Sequence, residues 1–226
     1  MKEGSEYTGG GTDCISAVVG PLLAREAAAL VEELRRSVVL VQSAHGHGSG
    51  LIWDSAGLIV TNHHVVARDQ ARVELSDGRL LAGAVVGRDV HNDLAALRVP
   101  ALGLPAAAIG DSTALRVGEL IIAVGHPFGV RGAATLGIVS RAPSGPDGGD
   151  WLGRTRRELL QADVDLAPGS SGGPLANAAG EVVGVASMVV GPGIALAVPS
   201  HLVRRFVAAL PAAPPGLGVT RWERAA

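Results

Sequence analysis

Three short segments carry side chains that together suit cleavage of an acyl bond. Val60-Thr61-Asn62-His63-His64-Val65-Val66 supplies imidazoles, and His91-Asn92-Asp93-Leu94-Ala95-Ala96-Leu97 supplies a carboxylate. Pro168-Gly169-Ser170-Ser171-Gly172-Gly173-Pro174-Leu175 supplies a hydroxyl. A serine hydroxyl is a poor nucleophile near neutral pH and needs a base to take its proton. An imidazole takes that proton and later returns it to a leaving amine. A carboxylate on the other ring nitrogen fixes the tautomer and stabilises the imidazolium. Glycines beside the serine let successive backbone N–H groups converge on one point, where an oxyanion is stabilised.

These segments need a rigid frame, and the pattern of the chain supplies one. From Val38 onward, short apolar runs alternate with Gly, Asp, Asn or Pro. They read as strands near 38–43, 49–53, 57–61, 71–75, 80–87, 94–98, 119–124, 134–140, 158–163, 181–188 and 194–198. Asp54-Ser55-Ala56-Gly57, Asp77-Gly78 and Ala178-Ala179-Gly180 read as turns. Short strands at this spacing, without long helices between them, argue for an antiparallel barrel or sandwich. Before them, apolar residues recur at helical spacing over 16–37 (Leu22, Leu23, Ala27, Leu30, Val31, Leu34), with a charged opposite face. Residues 1–15 read as a flexible polar tail, 142–157 as an exposed loop, and Ser200–Leu210 as a closing helix with Ser200 as its N-cap. Residues 211–226 form a tail.

Composition excludes several function classes. The chain has 226 residues, 47% hydrophobic and 18% charged, which rules out overall disorder. With 3% aromatics, the core must be aliphatic. A net charge of −2 predicts neither nucleic acid nor an anionic membrane as partner. No run approaches the ~20 apolar residues of a membrane span. Cys14 is the single cysteine, so no internal disulfide and no CxxC site is expected. Glu3, Glu6 and Asp13 give the N-terminal region the wrong charge for a leader. As written, the chain reads as cytoplasmic, or as extracytoplasmic if a leader had been trimmed.

The ordered motifs resemble the HtrA/Deg-type trypsin-like serine proteases of the chymotrypsin-like clan, from about Val38 to Leu210. GSGLIWDSAGLIVTNHHVV resembles the family's histidine block and singles out His64 over His63. NDLAALRV resembles its aspartate block and gives Asp93; LLQADVDLAPGSSGGPL resembles its serine block and gives Ser171. GDSTALRVGELIIAVGHPFG and ALAVPSHLV resemble two further blocks. The resemblance implies an all-β fold of two six-stranded antiparallel barrels over 38–210, with a short N-terminal helix and a C-terminal helix. It implies a serine endopeptidase acting on unfolded or extended polypeptides, with no cofactor and no metal. It assigns the oxyanion hole to the backbone of Gly169, Ser170 and Ser171, and one wall of the substrate cleft to 184–195, which includes Ser187 and Met188. It also suggests a homotrimer built on N-terminal aromatics, yet Tyr7 is the only aromatic before Trp53. Within the tail, GLGVT resembles only the start of a PDZ domain.

Some residues depart from the family pattern. Ser170 stands where Asn is usual, and His126 occupies another Asn position. Asp165 lies six residues before Ser171 without gaps, at the base of the substrate pocket in trypsin-like chains. An acid there predicts a preference for Arg or Lys through a charge-assisted pair, unless the side chain turns to solvent. His45, His47, His63 and His64 invite a zinc reading, weighed down by the claim of Ser171 on His64. His91 and His201 read as surface or cap residues. Two other functions remain open on the same fold: a latent peptide-binding or chaperone-like scaffold, and a triad esterase.

Overall fold

The computed structural model describes residues 12–44, 46–143, 158–191 and 193–211. Most of the expected N-terminal tail, the loop from 144 to 157, and the tail from 212 onward lie outside the described residues, as do His45 and Pro192.

Among the described residues, twelve strands close into two barrels. The first contains β1 (Val38–Ser43), β2 (Gly46–Ile52), β3 (Leu58–Thr61), β4 (Gln70–Glu74), β5 (Leu80–Asp89) and β6 (Leu94–Arg98), in the order β1-β2-β3-β6-β5-β4. The second contains β7 (Leu120–Gly125), β8 (Ala133–Arg141), β9 (Leu160–Asp163), β10 (Pro174–Ala176), β11 (Val182–Gly191) and β12 (Ile194–Pro199). Its order is β7-β8-β9-β12-β11-β10, the same connectivity repeated, and every strand pair within the barrels is antiparallel. Closure leaves neither barrel with a free edge.

Each barrel has its own aliphatic core. Val39, Val41, Ile59, Val73, Ala95 and Leu97 fill the first, and Ile121, Val139, Leu160, Leu175, Val183 and Ala197 fill the second. A third cluster lies outside both. There Leu58, Val60, Leu94 and Ala96 meet Val185, Val198, Val203 and Phe206. Strands β3 and β6 are therefore apolar on both faces, which is why their sequences read as continuous rather than alternating runs. These two doubly covered strands are the ones next to His64 and Asp93.

Two helices complete the fold. α1 spans Thr12–Arg36, starting four residues before the expected helix. Its C-terminal part packs Leu30, Val31 and Leu34 on Val38, Leu51, Ile122, Val124 and Val182, while Glu26, Glu33 and Arg36 stay in solvent. Arg35 Nε donates to Gly132 O at 2.6 Å. α2 spans Ser200–Ala208, and here an expectation fails: the cap position is Pro199, and Ser200 is the first helical residue. The Ser200 hydroxyl instead donates to Gly110 O and accepts from Ser112 N, pinning the connection between the barrels to α2. Among the described residues, no helix is long and apolar enough to cross a membrane.

Candidate active site

Residues from both barrels meet along the cleft between them. The first barrel contributes His64 and Asp93. His64 lies in a 3-10 turn, His63–Val65, directly after β3, and the buried Val65 and Val66 anchor that turn in the core. Asp93 ends the turn between β5 and β6 with a left-handed backbone, φ 58°. Asp tolerates this region better than most residues, because its short side chain can bond locally. The Asp93 carbonyl accepts from His63 N at 3.1 Å and Asn62 Nδ2 at 3.0 Å, which fixes the turn against the histidine segment.

The carboxylate of Asp93 is fully engaged. Oδ1 accepts from His64 N at 3.1 Å, and Oδ2 lies 2.8 Å from His64 Nδ1. Oδ2 also accepts from Ser187 Oγ at 2.6 Å. Burial pushes the Asp93 carboxyl up, but the hydrogen bonds from His64 and Ser187 outweigh it and hold the carboxyl below its usual range. The carboxylate is thus ionised and keyed to Nδ1, which leaves Nε2 of the half-exposed His64 ring facing outward. His63, the other histidine of the pair, takes a different partner: its Nδ1 accepts from Arg88 at 3.1 Å.

The second barrel contributes Ser171, in the loop between β9 and β10. Ala167-Pro168-Gly169-Ser170 forms a tight turn closed by Ser170 N donating to Ala167 O at 2.9 Å. Pro at its second position and Gly169 at φ 103° suit a type II turn. A side chain at Gly169 would also strike His126 O at 2.4 Å. Phe128 N, in a 3-10 turn after β7, donates to Pro168 O at 2.8 Å. Among the described residues, the N–H groups of Gly169 and Ser171 have no acceptor, so two donors stand free beside the Ser171 hydroxyl. The expectation of three donors is reduced by one, because closing the turn consumes the N–H of Ser170.

The Ser171 loop is fastened to the first barrel through Ser49 of β2. Ser49 N donates to Ser171 O at 2.7 Å, and Ser49 Oγ donates to Gly169 O at 2.8 Å. Gly172, at φ 87°, passes so close that a Cβ there would sit 2.0 Å from Ser49 O. The Ser171 hydroxyl donates to Ser187 O at 3.1 Å; among the described residues it makes no hydrogen bond to His64.

His126 lies behind this loop, buried, with its N–H on Ser49 Oγ at 2.9 Å and its Nδ1 3.4 Å from that oxygen. Burial, then the charges of Arg131 and His47, push His126 down to about 4. Arg131 itself pairs with Glu74 of β4, bridging the barrels again. His47, one of the four histidines of the zinc reading, is in β2 with its ring against Gly169. Among the described residues, no group of three or more His, Cys, Asp or Glu is arranged to hold a metal. His201, read as a surface or cap residue, bonds Ser112 at 2.9 Å and Glu158 at 3.2 Å, away from the cleft.

A cavity of about 340 Å³ opens beside Ser171, lined by Leu166, Ala167, Pro168, Ala186, Ser187, Met188 and Val189. Ser187 and Met188 are among its lining residues, and Asp165 is not. Asp165 is exposed, its carbonyl accepts from Thr135 Oγ1 at 2.9 Å, and it borders a different cavity with Gly125, Pro127, Ala133 and Thr135. Leu166, one residue on, lines both that cavity and the one beside Ser171. Counting without gaps points to this segment, and Asp165 borders the cavity next to the one beside Ser171. The double engagement of Ser187, with Asp93 as well as the cavity, left no spacing signal in the sequence. The same holds for Ser49 and Arg88.

Two repeated six-stranded barrels with a His-Asp pair on one side of the cleft and a glycine-framed serine on the other define a double-barrel, chymotrypsin-like hydrolase fold. The model of the trypsin-like peptidase domain matches residues 48–185, and the chain belongs to that family. It is 41% identical over 165 residues to "Serine protease HTRA1" of Xenopus laevis, covering 71% of this chain and 35% of that protein. It is 42% identical over 149 residues to "Probable periplasmic serine endoprotease DegP-like" of Hahella chejuensis, covering 66% and 31%. Among solved structures, the "HtrA-type protease AlgW with tripeptide" superposes with a TM-score of 0.73 at 33% identity, covering 80% of this chain and 62% of that one. The chain spans about a third of the length of these curated relatives.

Proposed function

We propose that the chain is a serine endopeptidase of the HtrA/Deg type. The observation that carries this reading is the Asp93-keyed His64 ring on the first barrel together with Ser171, whose loop is tied to that barrel by Ser49 and offers two free N–H groups. In the proposed reaction, Ser171 Oγ attacks the scissile carbonyl while His64 Nε2 takes its proton. Asp93 holds Nδ1–H and stabilises the imidazolium. The N–H groups of Gly169 and Ser171 receive the oxyanion, an interaction for which each donor is typically worth about 3 kcal/mol. The imidazolium then protonates the leaving amine, and water, activated by the same imidazole, hydrolyses the acyl-enzyme.

The side chain before the cut would enter the cavity of Leu166, Ala186, Met188 and Val189, which suits an aliphatic group and offers no counter-charge to Arg or Lys. Extended or unfolded polypeptides are the proposed substrates.

A second reading, a latent scaffold, is favoured by one observation: the Ser171 hydroxyl rests on Ser187 O rather than on His64. Fluorophosphonate labelling with Ser171→Ala as control separates the two. Labelling of the native chain alone, with casein cut after aliphatic residues by mass spectrometry, supports the protease. No labelling and no digestion would overturn it. Labelling with ester turnover but intact casein would leave the esterase.

A further inference from the structure

Strand β5 ends in Arg88-Asp89, and this dipeptide reaches both halves of the His64–Asp93 pair. The half-buried Arg88 guanidinium faces the histidine segment and makes contacts on both sides of His64. Its NH1 donates to His63 Nδ1 at 3.1 Å and to Val66 O at 2.6 Å. Its NH2 donates to Arg68 O at 2.8 Å and stands 3.7 Å from the Asp69 carboxylate. A guanidinium presents several donors in one rigid plane, so these contacts fix an orientation as well as a distance. Asp89 faces the other way along the chain. Its Oδ1 accepts from Asn92 N at 3.0 Å and its Oδ2 from Asn92 Nδ2 at 2.7 Å. Those bonds close the turn whose next residue is Asp93, held at φ 58°. Asp89 is itself registered opposite Leu94 and Arg88 opposite Ala95, so the dipeptide is anchored to β6.

We propose that Arg88 and Asp89 are positioning residues for the His64–Asp93 pair: Arg88 braces the loop that carries the base, and Asp89 braces the turn that carries its carboxylate. This inference rests on the protease reading of the site. The geometry explains why two side chains from different loops meet at 2.8 Å. Both loops are referenced to adjacent residues of one strand, so movement of that strand shifts them together rather than apart. Misplacement of about 1 Å in such a pair costs roughly a hundredfold in rate. Neither residue touches substrate; both act through the pair.

The test uses Arg88→Ala, Arg88→Lys and Asp89→Ala in the full chain, all measured well below their melting temperatures. Two readouts are followed: the rate of fluorophosphonate labelling of Ser171, and the low-field proton NMR signal of His64 Nδ1–H in its bond to Asp93. Arg88→Ala and Asp89→Ala are expected to slow labelling by about ten- to a hundredfold and to broaden or lose that signal. Arg88→Lys should recover part of both, since an ammonium reaches some of the three acceptors. Wild-type rates with an unchanged signal in Arg88→Ala and Asp89→Ala would overturn the proposal, even if both variants melt earlier. Should Arg88→Ala fail to fold, His63→Ala removes one acceptor and keeps the carbonyl contacts, and a normal signal in both His63→Ala and Arg88→Lys would overturn it. If the native chain does not label at all, the protease reading fails, and the NMR signal alone still decides the positioning role.

Discussion

The two barrels share one strand order but hold their shares of the site by different means. In the first, side chains do the holding: Asn62 grips the Asp93 carbonyl, and Arg88 and Asp89 grip the flanking loops. In the second, the backbone does it: a turn closed on Ala167 O, two glycines at positive φ, and carbonyls bonded by Ser49 and Phe128. The His64–Asp93 pair therefore depends on which polar groups are present. The Ser171 loop depends on which residues lack a side chain. Substitutions in the two regions should fail in different ways, chemically in the first and sterically in the second.

The sharpest test lies at Asp93. Asp93→Asn keeps the shape of the first-barrel site but favours the wrong tautomer of His64, and activity should fall by about 10⁴-fold with the fold intact. Steady-state kinetics together with circular dichroism check this; a loss of folding would blur the distinction between the regions. Gly172→Ala is the counterpart in the second barrel. Its methyl would meet Ser49 O at 2.0 Å in a left-handed backbone, so stability itself should drop, by about 3 kcal/mol or more in urea unfolding.

A smaller effect follows from His126. Its folded pKa of about 4 lies below the ordinary 6.5, so the unfolded chain binds a proton that the folded chain refuses. The stabilisation is complete above pH 6.5 and is lost as pH falls toward 4, about 2 kcal/mol of it by pH 5. His126→Asn should flatten that limb of the stability–pH curve, measured by chemical unfolding from pH 8 to pH 4.5. Smallest is Ser187→Ala, which removes one hydrogen bond to the Asp93 carboxylate and should lower kcat about tenfold. Because Ser187 belongs to the second barrel and serves the first, a larger loss would show that the division between them is less clean than the geometry indicates.

Much of the frame was legible in the sequence, for reasons that can be traced. Residues 57–61 and 94–98 read as strands because both faces of β3 and β6 are covered and their runs are apolar throughout. β10, Pro174–Ala176, was missed because three residues opening on proline carry no periodicity, and its pairing with β7 and β11 comes from barrel closure. The start of β2 at Gly46 was missed because Gly46 and Gly48 look like a turn, yet backbone pairing with β1 needs no side chain. Within the site, residue types near a motif were readable and directions were not. Asp165 and Leu166 are adjacent in sequence, yet only Leu166 reaches the cavity beside Ser171, a difference that spacing does not encode.

Ser49 has a consequence for how the molecule comes into being. Its bonds to Gly169 O and Ser171 O span some 120 residues of chain, and one partner of each lies in either barrel. Contacts of such long range form late, after both halves have closed. A nascent chain that has made only the first barrel carries the His64–Asp93 pair without Ser171. If the two domains fold at different speeds, the slower one sets the moment of maturation. Under the proposed function, cleavage of neighbouring chains would begin only once a chain's own folding is complete.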